Sequence, residues 1–376
     1  MKAIASTRMR VIGMIRKESL QILRDPSSIA IAFILPVILL LLFGYGVSLD
    51  AKHVRLATVV EQPDSNSDSL IGSFQKSEYF IPLQFNSIQE ADLALREHKV
   101  DGIIWLRNNF SRHLLSKGGS SIGVFVNGVN ANQARITEGY IQGVWQNWLI
   151  TYARSQGREL HIPVMLEQRI WFNTAVNSRY FLVPGLIAVI MTLIGAMLTS
   201  MVVAREWERG TMEALMVTPI RTREITIGKL VPYFILGMGG MFLSVAMAVW
   251  VFDVPLRGSF LALTGASALF MMVSLGMGLL ISIVAKSQFV AGQISIVATF
   301  LPAFILSGFI FQISSMPEVI QFITHIIPAR YFVAILQTLF LAGDIWPIVL
   351  SNSAALLLMM FIFLGLARHK IRKRLE

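Results

Sequence analysis

The chain of 376 residues is 55% hydrophobic and only 14% charged, with a mean hydropathy of +0.64. A soluble protein of this size has about a quarter of its residues charged, so the composition points to a membrane and away from most soluble enzyme classes. The net charge of +10 does not indicate nucleic acid, because the basic residues gather at the ends of apolar runs, where they fix topology and meet anionic lipid headgroups.

The first predicted element is a helix over residues 8–24. Arg10, Lys17, Gln21 and Arg24 fall on one face and Val11, Ile15 and Ile22 on the other, the pattern of a helix lying in the membrane interface. A plain basic stop signal would explain the charge but not the period. Asp25 and Pro26 then break this helix and start a spanning one. The apolar run Ile29–Val47 exceeds a signal peptide's core, and no small-residue cleavage site follows; it is expected to remain as an anchor.

Residues 50–179 hold 13 basic and 12 acidic residues and are nearly neutral. Strand-like runs at 54–60, 79–85, 102–106 and 123–126 alternate with helical patterns at 88–97, 110–115 and 132–153, which implies a small α/β domain. In the last of these, Ile141, Val144, Trp145, Trp148, Leu149 and Tyr152 form a stripe. Such a stripe is ordinarily core, with a ligand site or a dimer surface as the alternatives.

Five more apolar runs follow. Six spans are expected at about 28–49, 180–204, 230–252, 261–285, 289–311 and 347–367, each long enough for a bilayer core of about 30 Å. With the N-terminus in the cytoplasm, the inside segments carry seventeen Lys or Arg and the two short outside loops carry two, Arg257 and Arg330. The positive-inside rule then puts both termini in the cytoplasm and the α/β domain outside. The expected organisation is an interfacial helix (1–27), transmembrane helix 1 (28–49), an extracytoplasmic α/β domain (50–179) and a five-helix membrane domain (180–376). The membrane domain holds a cytoplasmic loop (205–229) and an outer re-entrant segment (312–346).

That loop mixes five basic with four acidic residues and adds Trp207, Met212, Leu215 and Met216. Topology needs only the bases. Mixed charge with apolar anchors suits docking to a partner protein; the plain alternative is a solvated turn. The segment 312–346 is apolar but broken by Met316-Pro317, Pro328 and Gly343. It reads as two short helices dipping into the outer leaflet. A crossing at 319–341 is the alternative, which the basic tail from Arg368 opposes.

Catalytic motifs are missing. Gly228-Lys229 comes closest to a phosphate loop, but Arg223 and Leu230 stand where glycine and a magnesium-binding hydroxyl are needed. Asp64–Asp68 resembles the start of a calcium loop and fails at Ser69 and Gln75, which leaves a helix cap or a polar turn. His53, His98, His113 and His161 have no metal-ligand spacing, and cysteine is absent. The middles of the spans carry no charge of the kind an ion-coupled transporter keeps at membrane depth. They carry hydroxyls instead (Thr192, Thr199, Ser274, Ser282, Thr299 and Ser307), expected to line an apolar path for amphiphilic cargo. A surface receptor is the remaining class, but no signalling domain follows Arg368.

Several stretches resemble the permease subunits of type-2 ABC exporters: Arg16-Lys17-Glu18 through Arg24-Asp25-Pro26, Phe43-Gly44-Tyr45-Gly46, Glu206–Glu213 with Thr218-Pro219, Ser307–Phe311, Met316-Pro317 and Pro328–Tyr331. The likeness covers essentially the whole chain and leans to the bacterial multidrug or drug/cation efflux permeases. It implies a multi-pass protein of the bacterial inner membrane that binds no cofactor itself, with ATP and magnesium held by separate ABC ATPase subunits. It also implies a second permease copy or paralogue and, outside, a membrane-fusion adaptor. Membrane lipids are expected partners and nucleic acid is not. By the same resemblance Arg205, Glu206, Glu208, Arg209, Gly210, Thr211, Glu213, Leu215 and Pro219 couple to the ATPase. Arg10, Lys17, Glu18 and Arg24 belong to the interfacial helix. Ser307, Gly308, Met316, Pro317, Pro328, Arg330 and Tyr331 line an outer gate. The cargo is expected to be an amphiphilic small molecule, with lipid or polysaccharide export as the alternative within the type and ion-coupled transport outside it.

Overall fold

A computed structural model describes residues 7–46, 53–114, 122–129, 131–157, 171–173, 177–211, 220–285 and 287–370. The chain forms two compact units, one of residues 1–47 with 170–376 and one of residues 48–169.

The larger unit is mostly helical. Helix α1 (Thr7–Leu23) is followed at Asp25 by a turn that starts α2 (Pro26–Gly46), with Pro26 in the first helical position and the Asp25 carboxylate accepting from Ser27 N–H. This is where proline costs a helix nothing, since its missing donor has no partner there anyway. Among the described residues, six helices are long and apolar enough to cross a membrane. They are α2, Ser178–Glu208, Thr222–Trp250, Phe260–Ala285, Gln288–Leu306 and Trp346–Lys370. Ser178–Glu208 lies at the centre, with nearly its whole length from Leu182 to Glu206 buried by its neighbours.

Two boundaries differ from the sequence reading. The loop expected over 205–229 is shorter, because Arg205, Glu206, Trp207 and Glu208 form the last turn of the helix begun at Ser178, and the next helix starts at Thr222. Helix five, expected to reach 311, ends at Leu306, where Gly308 at φ +88° turns the backbone into a conformation open to glycine and strained for other residues. Beyond it come a short turn at Ile313–Ser315, a helix at Glu318–Thr324 and a longer one at Pro328–Ala342, the last two bent by 86°. The longer piece spans only about 22 Å at 1.5 Å per residue, less than a bilayer core.

The smaller unit has a four-stranded sheet, made of β1 (Val54–Val60), β2 (Phe80–Phe85), β3 (Gly102–Leu106) and β4 (Ile122–Val126) in the order β2-β1-β3-β4. Strand β1 runs parallel to β2 and β3, and β4 closes the sheet antiparallel to β3. Val54, Leu56, Ile104 and Leu106 face one helical layer (Ser65–Gln75 and Ala131–Ser155), while Ala57, Val59 and Ile103 face Ile88–Arg96. The helix Ser65–Gln75 is not evident in the sequence; Asp64, the first of the calcium-like residues, is its cap, paired reciprocally with Ser67. The Trp stripe is core. Trp148 is buried, its ring stacks on Trp145 and Tyr152, and its Nε1 donates to Ser69 Oγ at 3.0 Å. Beside the stripe, Leu70, Phe74, Val124 and Trp145 line a cavity of about 490 Å³.

Candidate functional site

Helix α1 presents three kinds of surface. Met14, Glu18 and Ile22 recur every four residues and are buried against the larger unit. Met9, Ile12, Leu20 and Leu23 lie on the opposite face and are exposed. Arg10, Lys17, Gln21 and Arg24 occupy one flank between them. An exposed apolar face on a helix that also buries a carboxylate is unusual and directs attention to what Glu18 meets.

It meets two other helices. Lys229, two turns into Thr222–Trp250, places its Nζ 3.0 Å from Glu18 Oε1 and 2.6 Å from Glu206 Oε2, at the end of Ser178–Glu208. Lys17 Nζ completes the group, 2.8 Å from Glu206 Oε1 and 3.3 Å from Glu18 Oε1. Glu18, Glu206 and Lys229 are at most 4% exposed, and Lys17 opens toward solvent. Two carboxylates and two ammonium groups thus balance inside an apolar setting, which is how buried charge is tolerated at all. Burial works to lower the Lys17 pKa, but hydrogen bonds and the charges of Glu206 and Glu18 hold it above its ordinary value. Close approach of the backbones allows the cluster to form: a Cβ on Gly228 would lie 2.5 Å from Met14 Cγ. Gly228-Lys229, the failed phosphate-loop match, is in fact where α1 packs on its neighbour.

Two further ion pairs flank the cluster. Arg10 holds Glu224 with two parallel bonds, Nη2 to Oε1 at 2.8 Å and Nε to Oε2 at 3.0 Å. Arg205 Nη1 lies 2.7 Å from Asp25 Oδ2, and its Nε donates to Gln288 Oε1 at 3.1 Å. Burial pushes the Asp25 pKa up, but hydrogen bonds from Ser27, Ser28 and Arg205 outweigh it and hold the carboxyl at about 2. Helix α1 is therefore joined by charge to the last turn of one spanning helix and to the first turns of the next.

Of the residues expected to face a partner, Arg205 and Glu206 are thus turned inward, a correction caused by the helix continuing through them. Glu208 is exposed and accepts from Ser287 Oγ at 3.0 Å and Gln288 Nε2 at 2.9 Å. Arg209, Gly210 and Thr211 are exposed. Glu213, Leu215 and Pro219 lie outside the described residues. Among the interfacial-helix residues, Arg10, Lys17 and Glu18 are engaged as above and Arg24 is exposed.

The other expected site lies around residues 307–331. Ser307 is buried and its Oγ accepts from Phe309 N–H at 3.3 Å. Gln321 Nε2 donates to Met316 O at 2.8 Å, just before Pro317, and Pro328 opens the longer helix. Arg330 Nη1 reaches Gln321 O at 3.3 Å, Thr324 Oγ1, and His325 Nδ1 at 3.0 Å. Its guanidinium also lies 5.9 Å from the Tyr331 ring, and Tyr331 OH donates to His325 O at 3.0 Å. This bend is held by bonds between residues at most ten apart.

The hydroxyls expected to line a path are buried within the helix packing. Thr192 and Thr299 donate to carbonyls four residues back, Thr199 also to Leu275 O at 2.9 Å, and Ser282 to Ser200 O at 2.6 Å. Ser274 is likewise buried. In this conformation they serve packing. Among the described residues no group of His, Asp or Glu is arranged to hold a metal ion.

Residues 26–368 match the ABC-2 family transporter protein family. The probable multidrug ABC transporter permease YbhS of Escherichia coli K12 is 42% identical over 368 residues, 98% of each chain. The probable multidrug ABC transporter permease YbhR of the same organism is 30% identical over 354 residues, 92% of this chain and 95% of its own. The linearmycin resistance permease protein LnrN of Bacillus subtilis is 22% identical over 341 residues, 82% of this chain and 86% of its own.

Proposed function

The chain belongs to the ABC-2 transporter family, and from that premise we propose how its parts divide the work. It is a permease subunit of an ABC exporter and a multi-pass protein of the inner membrane. In our reading both termini are cytoplasmic and the α/β unit within 50–179 is outside, on the strength of the seventeen-to-two charge asymmetry. Separate ATPase subunits bind ATP with magnesium and hydrolyse it. The cargo is an amphiphilic small molecule, in keeping with relatives named for multidrug transport and for linearmycin resistance. A second permease copy or paralogue completes the path, and an adaptor meets the α/β unit.

Coupling runs through the charged cluster. The exposed tip formed by Glu208, Arg209, Gly210 and Thr211, together with α1, takes the push of the ATPase. Glu206 carries that push inward, because it shares Lys229 with Glu18 and so ties three helices into one body. The bend at Ser307–Tyr331 closes the outer side. The observation that carries this reading is the 2.6 and 3.0 Å reach of Lys229 to both carboxylates. A salt bridge is not needed to hold a helix down, since an apolar contact of the same volume is often as stable; a shared one makes three helices move together.

The test is ATP-driven uptake of a fluorescent amphiphilic cation into inverted vesicles holding the permease and its ATPase, where uptake into the lumen is the export direction. Lys229→Met is expected to abolish export while the protein still inserts and still binds the ATPase. Full export by that variant would remove the cluster from the coupling route.

A further inference from the structure

The flank of α1 that carries Lys17 and Arg24 is one wall of a cavity of about 450 Å³, closed on the other side by Asp25, Arg205 and Arg209. We propose that this pocket binds the phosphate of an anionic phospholipid. Four of its lining side chains are cationic and one is acidic, and that acid is already committed to Arg205 at 2.7 Å. Lys17 is committed too, to Glu206 and Glu18. Arg24 and Arg209 have no partner among the described residues and are exposed. Two unengaged guanidinium groups at one cavity, with the local carboxylate neutralised, leave a positive site without its counter-charge among the described residues. A guanidinium presents a planar fork that fits a phosphate better than it fits water.

The surroundings choose the lipid over a soluble anion. Leu20 lines the same cavity and is 47% exposed, and Leu23, one turn further, is 71% exposed. With Met9 and Ile12 they continue the bare apolar face of α1, which suits acyl chains and not cytosol. The pocket also ends one residue before Pro26, where the first membrane span begins. A basic pocket at the root of a spanning helix with an apolar wall is the chemistry of a headgroup site. Here it rests on the reading that α1 lies at the membrane surface. The lipid would fill the groove between α1 and the last turn of Ser178–Glu208, beside the cluster that joins them.

The test uses the purified full-length permease in a neutral detergent, with bound lipid read by native mass spectrometry. Phosphatidylglycerol is expected to bind at least about tenfold more tightly than phosphatidylcholine. Arg24→Gln with Arg209→Gln should weaken phosphatidylglycerol about thirtyfold, at about fivefold per basic residue near an anionic phosphate, and leave phosphatidylcholine unchanged. Arg8→Gln, on the opposite flank of α1, should change neither. Equal binding of the two lipids, or an unchanged affinity in the double variant, would overturn the proposal. Displacement of phosphatidylglycerol by inorganic phosphate at comparable concentration would reassign the pocket to free phosphate. Loss of lipid on adding the ATPase subunits would reassign it to an acidic surface of that partner. None of these readings depends on which side of a membrane α1 occupies, so an error in the topology would leave them intact.

Discussion

The two ends of the helix Ser178–Glu208 are built on opposite principles. At its C-terminal end, charge is met by charge from far away in sequence: Lys229 reaches Glu18, 211 residues distant, and Lys17 reaches Glu206, 189 residues distant. At the bend of residues 307–342, Arg330 is met by neutral oxygens and a histidine within nine residues, on the turn it helps to form. The first arrangement binds separate helices together; the Arg330 bonds shape one hairpin, whose longer helix meets its neighbours by apolar packing and by Gly258 N–H to Leu339 O at 2.7 Å. A hairpin that satisfies its own cation can shift against its neighbours without exposing a charge. The cluster cannot, because parting its helices leaves buried ions unpaired. Force would therefore be carried at the charged end and movement allowed at the other.

That contrast can be broken by substitution, and the largest effect is expected at Lys229. Lys229→Met leaves Glu18 and Glu206 buried with Lys17 alone, and removing one partner of a buried pair costs about 3–5 kcal/mol. Thermal unfolding in detergent should show it as a large fall in Tm; a change within error would mean that the carboxylates take up protons or water at little cost.

Arg330→Gln should be milder. It removes a charged donor from Gln321 O and Thr324 Oγ1, worth about 2 kcal/mol, and should loosen residues 318–331 alone. Hydrogen exchange is the measurement, with faster exchange at the hairpin and none at α1 expected. Equal loosening at α1 would erase the distinction between the two ends.

The smallest effect concerns Asp25. Its carboxyl sits at about 2 in the folded protein against about 3.9 when unfolded. A lowered folded value favours the folded state above the unfolded pKa, and the benefit fades as pH falls from about 5 toward 2. Asp25 is partly exposed, so screening reduces the contribution to about 1 kcal/mol. The stability difference between the wild type and Asp25→Asn should be present at pH 7 and shrink to a small remainder by pH 2, where the folded carboxyl is half ionised. A difference undiminished at pH 2 would belong to the helix cap and not to the charge.

Much of this plan is legible in the sequence, and what is not has a common cause. Span lengths, the period of α1 and the β-branched run of Val54–Val60 are local properties of a few turns or residues. The helix at Ser65–Gln75 is missed because its serines, asparagine and glycine are indifferent helix formers, and only the Asp64 cap marks it. The end of the helix at Glu208 could have been found, since Gly210 follows helix-forming Arg205-Glu206-Trp207-Glu208 as a stop signal. The pairing of Glu18, Glu206 and Lys229 could not. Each is an ordinary charge beside a span, and only the packing of α1 on Gly228 brings them together. The four acids among residues 205–229, where topology asks only for bases, are the one hint.

The central claim is that the cluster transmits force as well as holding the fold, and a charge-balanced double variant separates the two. Glu18→Gln added to Lys229→Met restores neutrality to the buried group, with Lys17 left to face Glu206. Stability and export should be measured on Lys229→Met, Glu18→Gln and the double variant in the presence of the ATPase. The account predicts that the double variant regains about half of the stability lost in Lys229→Met, by about 2 kcal/mol of coupling, while export stays well below wild type because Lys229 no longer ties α1 to its neighbours. Export that returns together with stability would contradict it and leave the cluster a feature of packing alone.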